Sequence, residues 1–351
     1  MIAYVKGVGN ISPQMTWRDD AFSIRDGDQT GNYLSAIEPD YAAWINPQQL
    51  RRISRILKMG TAAASIALQE AKLSSPDAII TGTGMGCVED TGKFLDKITT
   101  LNEEALNPTP FMQSTHNTIG SQIGLMVGCK GYNQTYVQGA FSFEHSLMDA
   151  LMQLDEQPDF NILVGGVDEV TETYSQILQR FGLLKRETPR SMDIFSSQTR
   201  GTILGEGAAY FVLSRTAEGS NASIQGIKTL YQPHAHELHD GIDSFLAEAL
   251  LNRNDVDLVL TGKSGDAIAD KQIDRDVNLR FPQSSLAVFK HLCGEHMVAS
   301  SFALWLAVYM LKHQQMHEAV VIKDAGRPLK NILVYNRYYQ DHHSLLLVRS
   351  C

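Results

Sequence analysis

The chain has 351 residues, 30 Lys and Arg against 39 Asp and Glu, a formal net charge of −9 and 43% hydrophobic residues. That apolar share excludes a disordered chain, and its 27 Gly and 11 Pro exclude a fibrous repeat. The acidic balance argues against a general nucleic-acid binder, whose affinity rests on basic surface. The length fits one large α/β unit or two fused domains.

In chain order, Ala3 to Ile11 reads as a strand. The opening MIAYVKGVGN lacks the apolar run and small-residue cleavage site of a secretory leader. Residues 12–45 are polar and aromatic without a period, which predicts a covering loop. Asn46-Pro47 is a helix start, and the spacing of Leu50, Ile53, Leu57, Ala64 and Leu68 carries one helix to about Lys72. Ala78 to Gly84 reads as a buried strand breaking into a glycine turn, with a helix from about Asp90 and another over 117–127. A strand over 132–137, a helix over 143–154 and a strand over 161–166 continue the alternation, which predicts an α/β sheet covered by helices. Residues 171–201 have no clear pattern. Strands follow over 201–213 and 222–230, a helix over 241–251, a strand over 256–261 and a helix over 299–312. Strands over 319–323, 332–335 and 344–348 close the chain. Two related α/β halves are expected, 1–215 and 216–351.

No segment offers the roughly 20 apolar residues that span a bilayer, and Ala299 to Leu311 is too short. Cys87, Cys129, Cys293 and Cys351 have neither zinc nor disulfide-framework spacing, so a reducing cytoplasm is expected.

Several clusters invite chemistry. Thr81-Gly82-Thr83-Gly84-Met85-Gly86 resembles a phosphate loop but lacks its Lys-Ser/Thr, so a tight turn is the plainer reading. Cys293, Glu295 and His296 put a thiol, a carboxylate and an imidazole within one turn. Phe141-Ser142-Phe143-Glu144-His145 sits at a strand-to-helix elbow, where a nucleophile such as Ser142 can stand at a helix N-terminus with His145 as base, although GxSxG spacing is missing. His234, His236 and His239 read as a solvated loop, not a metal site, and His342-His343 is ambiguous.

Taken together, the chain resembles the β-ketoacyl-acyl-carrier-protein synthases of the thiolase fold. The resemblance runs from about Tyr4 to Val348. It is carried by 80–86, Asn107-Pro108-Thr109-Pro110-Phe111 with Asn117, Lys130-Gly131-Tyr132-Asn133, 163–168, 201–208 and Lys290 to His296. It implies a five-layered αβαβα fold. It also implies a Cys at the elbow that takes the acyl chain as a thioester, with two His that assist decarboxylation and hold the enolate oxyanion. In this sequence the nucleophile position falls on Ala140, which has no lone pair to attack a thioester. The first His position falls on Thr261, and the second on Glu295 or His296 according to a one-residue shift. The family's gating Phe is Thr202, and its glycine-rich C-terminal loop is replaced by 336–341.

This pattern is similar to the Cys-less chain-length factors and to synthase-like members of aryl-polyene and flexirubin pigment pathways. A Gln often stands at the Cys position of chain-length factors, and here Gln138 lies two residues before it. The resemblance implies a non-condensing subunit of a type II fatty-acid or polyketide system. It would need no cofactor or metal. Its partners would be an acyl carrier protein and a Cys-containing ketosynthase, or a second copy of itself in a homodimer. Phe141, Phe143 and Thr202 would line the acyl tunnel. The rival expectations are an active 3-oxoacyl-carrier-protein synthase or acyltransferase working through Ser142, Glu295, His296 or Cys293, and a homodimeric acyl-binding protein.

Overall fold

Two sets of strands, each faced by helices, are tied side by side through three residue pairs, in which Ala3, Tyr4 and Val5 meet Ile224, Ser223 and Ala222. The computed structural model describes residues 2–17, 33–187, 190–339 and 341–351. The first stretch of chain runs β1 (Ala3–Ile11), β2 (Tyr33–Leu34), α1 (Pro47–Leu50), α2 (Arg55–Glu70), β3 (Ala78–Gly82), α3 (Val88–Thr100) and α4 (Pro108–Ser114). It continues with α5 (Thr118–Val127), β4 (Tyr132–Tyr136), α6 (Ser142–Glu156), β5 (Ile162–Asp168), α7 (Glu172–Arg180), β6 (Leu204–Gly205) and β7 (Gly207–Ser214). Then come β8 (Ala222–Tyr231), α8 (Ala235–Glu248), β9 (Leu258–Thr261), α9 (Ala267–Arg280) and β10 (Ser285–Val288). Last are α10 (Lys290–Cys293), α11 (Ala299–His313), β11 (Val321–Lys323), β12 (Asn331–Tyr338) and β13 (His342–Ser350).

The large sheet has the order β11-β10-β9-β12-β13-β8-β1-β7-β5-β3-β4. Apolar residues of α2 and α5 cover one face of β1, β3, β5 and β7. α6 and α11 lie between the two strand sets. α8 and α9 cover the outer face of β9, β12 and β13. This is the five-layered αβαβα arrangement of the thiolase-like fold. Its middle layer explains the sequence of α11, apolar nearly all round, with Phe302, Leu304, Trp305 and Leu306 all buried. β5 and β7 are buried on both faces and read as continuous apolar runs.

Both strand sets use the same device at the start of their parallel strands. Asp77 donates its N–H to the Asn161 carbonyl at 2.9 Å, and its Oδ2 accepts the Asn161 N–H at 2.8 Å. Asp257 repeats both bonds with Asn331, at 2.9 Å each. Residue 215, the expected boundary, falls in the turn between β7 and β8.

Several elements differ from expectation. The single helix over 46–72 is two, α1 and α2, broken at 51–54 where Ser54 restarts the helix. Asn46 does cap the first, its Oδ1 accepting the Gln48 N–H at 2.9 Å. The His234 cluster is not a loop: His234 opens α8 in a capping box with Glu237, and His236 and His239 ride on the helix. Residues 171–201 contain α7, and α9 and β10 arise where no element was expected. Of the segment 336–341, Asn336–Tyr338 are the last residues of β12. Part of the covering-loop expectation, 18–32, lies outside the described residues. Among the described residues no helix is long and apolar enough to cross a membrane.

Glu206 ties four segments together. Its buried carboxylate accepts two bonds from the Arg55 guanidinium, at 2.6 and 2.7 Å, and the backbone N–H groups of Ala36 at 2.8 Å and Val170 at 2.9 Å. Truncation leaves all these donors without their acceptor. Glu206→Ala is expected to lower stability by about 3 kcal/mol, the low end for a broken buried pair because Arg55 keeps some solvent contact. Urea unfolding checks this, and a loss below about 1 kcal/mol contradicts the tie.

Candidate active site

β4 ends at Tyr136, and the chain turns through Gly139 at φ +57° into a short 3-10 turn, Gly139–Phe141, and then α6. One hydroxyl closes this elbow: Ser142 Oγ accepts the Gln138 N–H at 2.9 Å and donates to the Gly139 carbonyl at 2.7 Å. β3 passes directly behind, where a Cβ on Gly82 would lie 2.5 Å from the Ser142 carbonyl oxygen, so only glycine fits. Ala140 is 3% exposed in the middle of the turn. Further along α6, Glu144 is buried and accepts the Ser344 hydroxyl at 2.7 Å, and burial pushes its carboxyl up. The half-buried His145 is pushed down by desolvation, its ring 5.8 Å from Phe141 and 6.4 Å from Tyr136.

The two phenylalanines of the elbow part company. Phe143 is fully buried in the layer between the strand sets, 5.9 Å from Phe211. Phe141 is half-buried and meets the β12–β13 turn through His342, at 4.8 Å between ring centroids.

Opposite lies the loop after α10. Gly294, at φ +73°, turns the chain so that Glu295 comes back on Lys290. The Lys290 ammonium is fully buried, 2.7 Å from Glu295 Oε2, and also donates to the Arg337 carbonyl at 2.7 Å. Burial pushes the Glu295 carboxyl up, and the Lys290 charge pulls against that shift. His296 faces another partner, its Nδ1 3.8 Å from Asp168 Oδ2. Asp168 in turn accepts Thr83 Oγ1 at 3.1 Å, the Gly84 N–H at 2.8 Å and the Val298 N–H at 3.2 Å. Cys293 is fully buried and donates to the Gly294 carbonyl, and desolvation pushes its thiol up, which disfavours the thiolate. Thr261, at the end of β9, donates its hydroxyl to the Ala287 carbonyl at 3.0 Å.

Thr202 lies on the wall of a cavity of about 270 Å³ with Leu183, Ser264, Asp266, Ala269 and Tyr339. Its hydroxyl donates to the Ser264 carbonyl at 2.6 Å. The buried Lys185 holds two walls of this region together by donating to Gly265 O at 2.9 Å and to the Ser197 and Thr199 hydroxyls at 3.0 and 3.1 Å.

The structure therefore brings Ala140, Phe141 and Ser142 together at the elbow and sets Glu295 and His296 on separate partners. Sequence reasoning assigned no role to Lys290, Asp168 or Tyr339. The signal for the first was a Lys five residues before an acid across a glycine.

Residues 5–219 match the Beta-ketoacyl synthase N-terminal domain, and the chain belongs to the beta-ketoacyl synthase family. Within it, Nodulation protein E of Rhizobium meliloti (strain 1021) is 22% identical over 277 residues, 74% of this chain and 65% of that protein. The chain thus matches slightly less than two thirds of that relative's length. Among solved structures, the ishigamide ketosynthase/chain length factor superposes with a TM-score of 0.79 at 18% identity, over 100% of this chain and 99% of that one. A beta-ketoacyl synthase from Burkholderia phymatum STM815 gives 0.78 at 16%, over 99% of both chains. A ketosynthase in complex with its chain length factor from Xenorhabdus doucetiae gives 0.74 at 13%, over 99% of this chain and 98% of that one. These likenesses establish the fold.

Glu295→Ala strands a buried ammonium and is expected to cost about 3–5 kcal/mol in urea unfolding, whereas Lys290→Met combined with Glu295→Leu costs far less. Equal losses from the single and double variants contradict the pairing. The neighbouring His291 supplies a pH dependence. Burial pushes its imidazole down to about 4, and its ring packs 5.3 Å from Phe195. A depressed base stabilises the fold above its unfolded value of about 6.5, and that contribution, at most about 3 kcal/mol, is lost as pH falls from 6.5 towards 4. The stability gap between the native chain and His291→Gln should shrink over that window, and a constant gap contradicts the assignment.

Proposed function

We propose that this chain is a non-condensing, ketosynthase-like subunit of a type II fatty-acid or polyketide system, pairing with a Cys-bearing ketosynthase and meeting an acyl carrier protein. The observation that carries the reading is the elbow. Ala140 stands where the family's nucleophile belongs, and the nearby Ser142 hydroxyl is committed to closing the turn. Of the two residues on which the second His position falls, Glu295 is held by Lys290 and does not replace an imidazole in oxyanion chemistry, and His296 faces Asp168.

An interface supports the pairing. β4 is an edge strand of the large sheet, with Tyr132 40% and Val137 41% exposed at its two ends. Leu125 on α5 and Met148 and Met152 on α6 are exposed on the helices that flank it. An edge with open backbone groups and exposed apolar neighbours favours a partner strand. The ketosynthase/chain length factor folds that this chain matches fit a synthase as that partner. Four unpaired thiols suit a reducing cytoplasm. The two halves, 1–215 and 216–351, are proposed as a duplication on the shared Asp–Asn device. An aryl-polyene or flexirubin-type product is proposed on the Phe141-Ser142-Phe143-Glu144 elbow.

Phe141 is the residue placed to bound a neighbour's acyl cavity, whereas Phe143 is core. Coexpression with a ketosynthase and carrier protein, followed by mass spectrometry of carrier-bound products, tests this. Phe141→Ala is expected to shift products towards longer chains without unfolding the chain, and Phe143→Ala to cost about 3–5 kcal/mol of stability. Unchanged product length from a folded Phe141→Ala removes the bounding role. Copies of this chain that associate only with each other would favour the homodimeric acyl-binding reading.

A further inference from the structure

The chain has three tryptophans, and all of them, Trp17, Trp44 and Trp305, line one cavity of about 390 Å³. The cavity lies between the C-terminal turns of α2, Val8 of β1 and the later turns of α11. It shares no residue with the elbow or with the Thr202 cavity. Its aromatic walls are held in place. Trp305 stacks on Tyr309 with centroids 5.7 Å apart, and Tyr309 meets His313 at 4.3 Å. The Trp44 indole N–H donates to Gln69 Oε1 at 3.2 Å. Glu70 binds the elements together: its Oε2 accepts the Val8 N–H at 2.8 Å, and its Oε1 lies 2.7 Å from the Lys312 ammonium. That carboxylate is therefore already neutralised. Lys72 is exposed on the same lining and enters no ion pair among the described residues. In a chain of net charge −9, this lining carries two lysines against one carboxylate.

We propose that this cavity is a binding site for a small planar aromatic carboxylate, its ring stacked on the indoles and its anion drawn to Lys72. A concave surface of this size, mostly aromatic with a few polar groups, has the make-up of a small-molecule site. Flat indole and phenol faces favour a flat ring over an aliphatic chain. Such walls could also hold an organic cation, but the surplus lysine opposes one and favours an anion. The inference concerns this chain alone and does not depend on its pairing with a synthase.

Isothermal titration of the full chain with 2-naphthoate tests it. One site per chain is expected, with saturation below about 1 mM. Cyclohexanecarboxylate and benzyltrimethylammonium should each bind at least about fivefold more weakly. Trp44→Ala should weaken 2-naphthoate by about tenfold. Lys72→Asn removes the charge while suiting the left-handed backbone at this position, φ +54°, and should weaken it by about threefold. If Trp44→Ala fails to fold, as judged by thermal melting, Lys72→Asn decides alone. Absence of saturable binding overturns the site. So does equal or tighter binding of either comparison compound, or unchanged affinity in a folded variant.

Discussion

The Ser142 hydroxyl closes the turn on which the site depends. It accepts a hydrogen bond from the Gln138 N–H and donates one to the Gly139 carbonyl, so the chain passes from β4 into α6 within a few residues. That tight passage lets β3 run directly behind the elbow, with Gly82 against the Ser142 backbone. It also fixes where the Ala140 methyl sits and which elbow ring faces the core. Phe143 falls between the strand sets, and Phe141 turns to the β12–β13 hairpin. A serine nucleophile at this turn would need to pass its proton to a base, and the closure commits the Ser142 proton to the Gly139 carbonyl.

The second half of the site is built on buried charge. Lys290 and Glu295 are both buried, and a pair of that kind adds little net stability compared with apolar residues of the same size. Removing one member is what costs. The pair therefore constrains its neighbours more than it stabilises the fold, and it draws the Arg337 carbonyl of β12 onto the same ammonium. Asp168 performs the matching task at the end of β5, gathering the turn after β3 and the segment after His296. Carboxylates hold both groupings, and the two residues that follow Gly294, Glu295 and His296, divide between them.

Much of the layer order was legible in the sequence. Continuous apolar strands such as 162–168 and the all-round apolar helix at 299–313 announce burial on both faces. The misses have physical causes. α9 buries only Ala269, Asp270, Ile273 and Val277 among charged residues, and α7 only Ser175 and Leu178, so neither carries a clear apolar stripe. β10 is a four-residue run, too short to show alternation. At the site, the family pattern pointed to Ala140, Thr202 and either Glu295 or His296. It could not separate Phe141 from Phe143, because which ring meets the core depends on packing against Phe211 and His342, which lie far away in sequence. Nor does a residue type reveal a positive φ, which is what marks Tyr339.

The central claim is that no covalent chemistry passes through this chain. Intact-protein and peptide mass spectrometry of the copurified pair, after incubation with acyl-loaded carrier protein, tests it most directly. The account predicts an acyl mass on the partner's cysteine and none on this chain, in particular none over residues 138–145. An acyl adduct on Ser142, or on any other side chain of this protein, would contradict it.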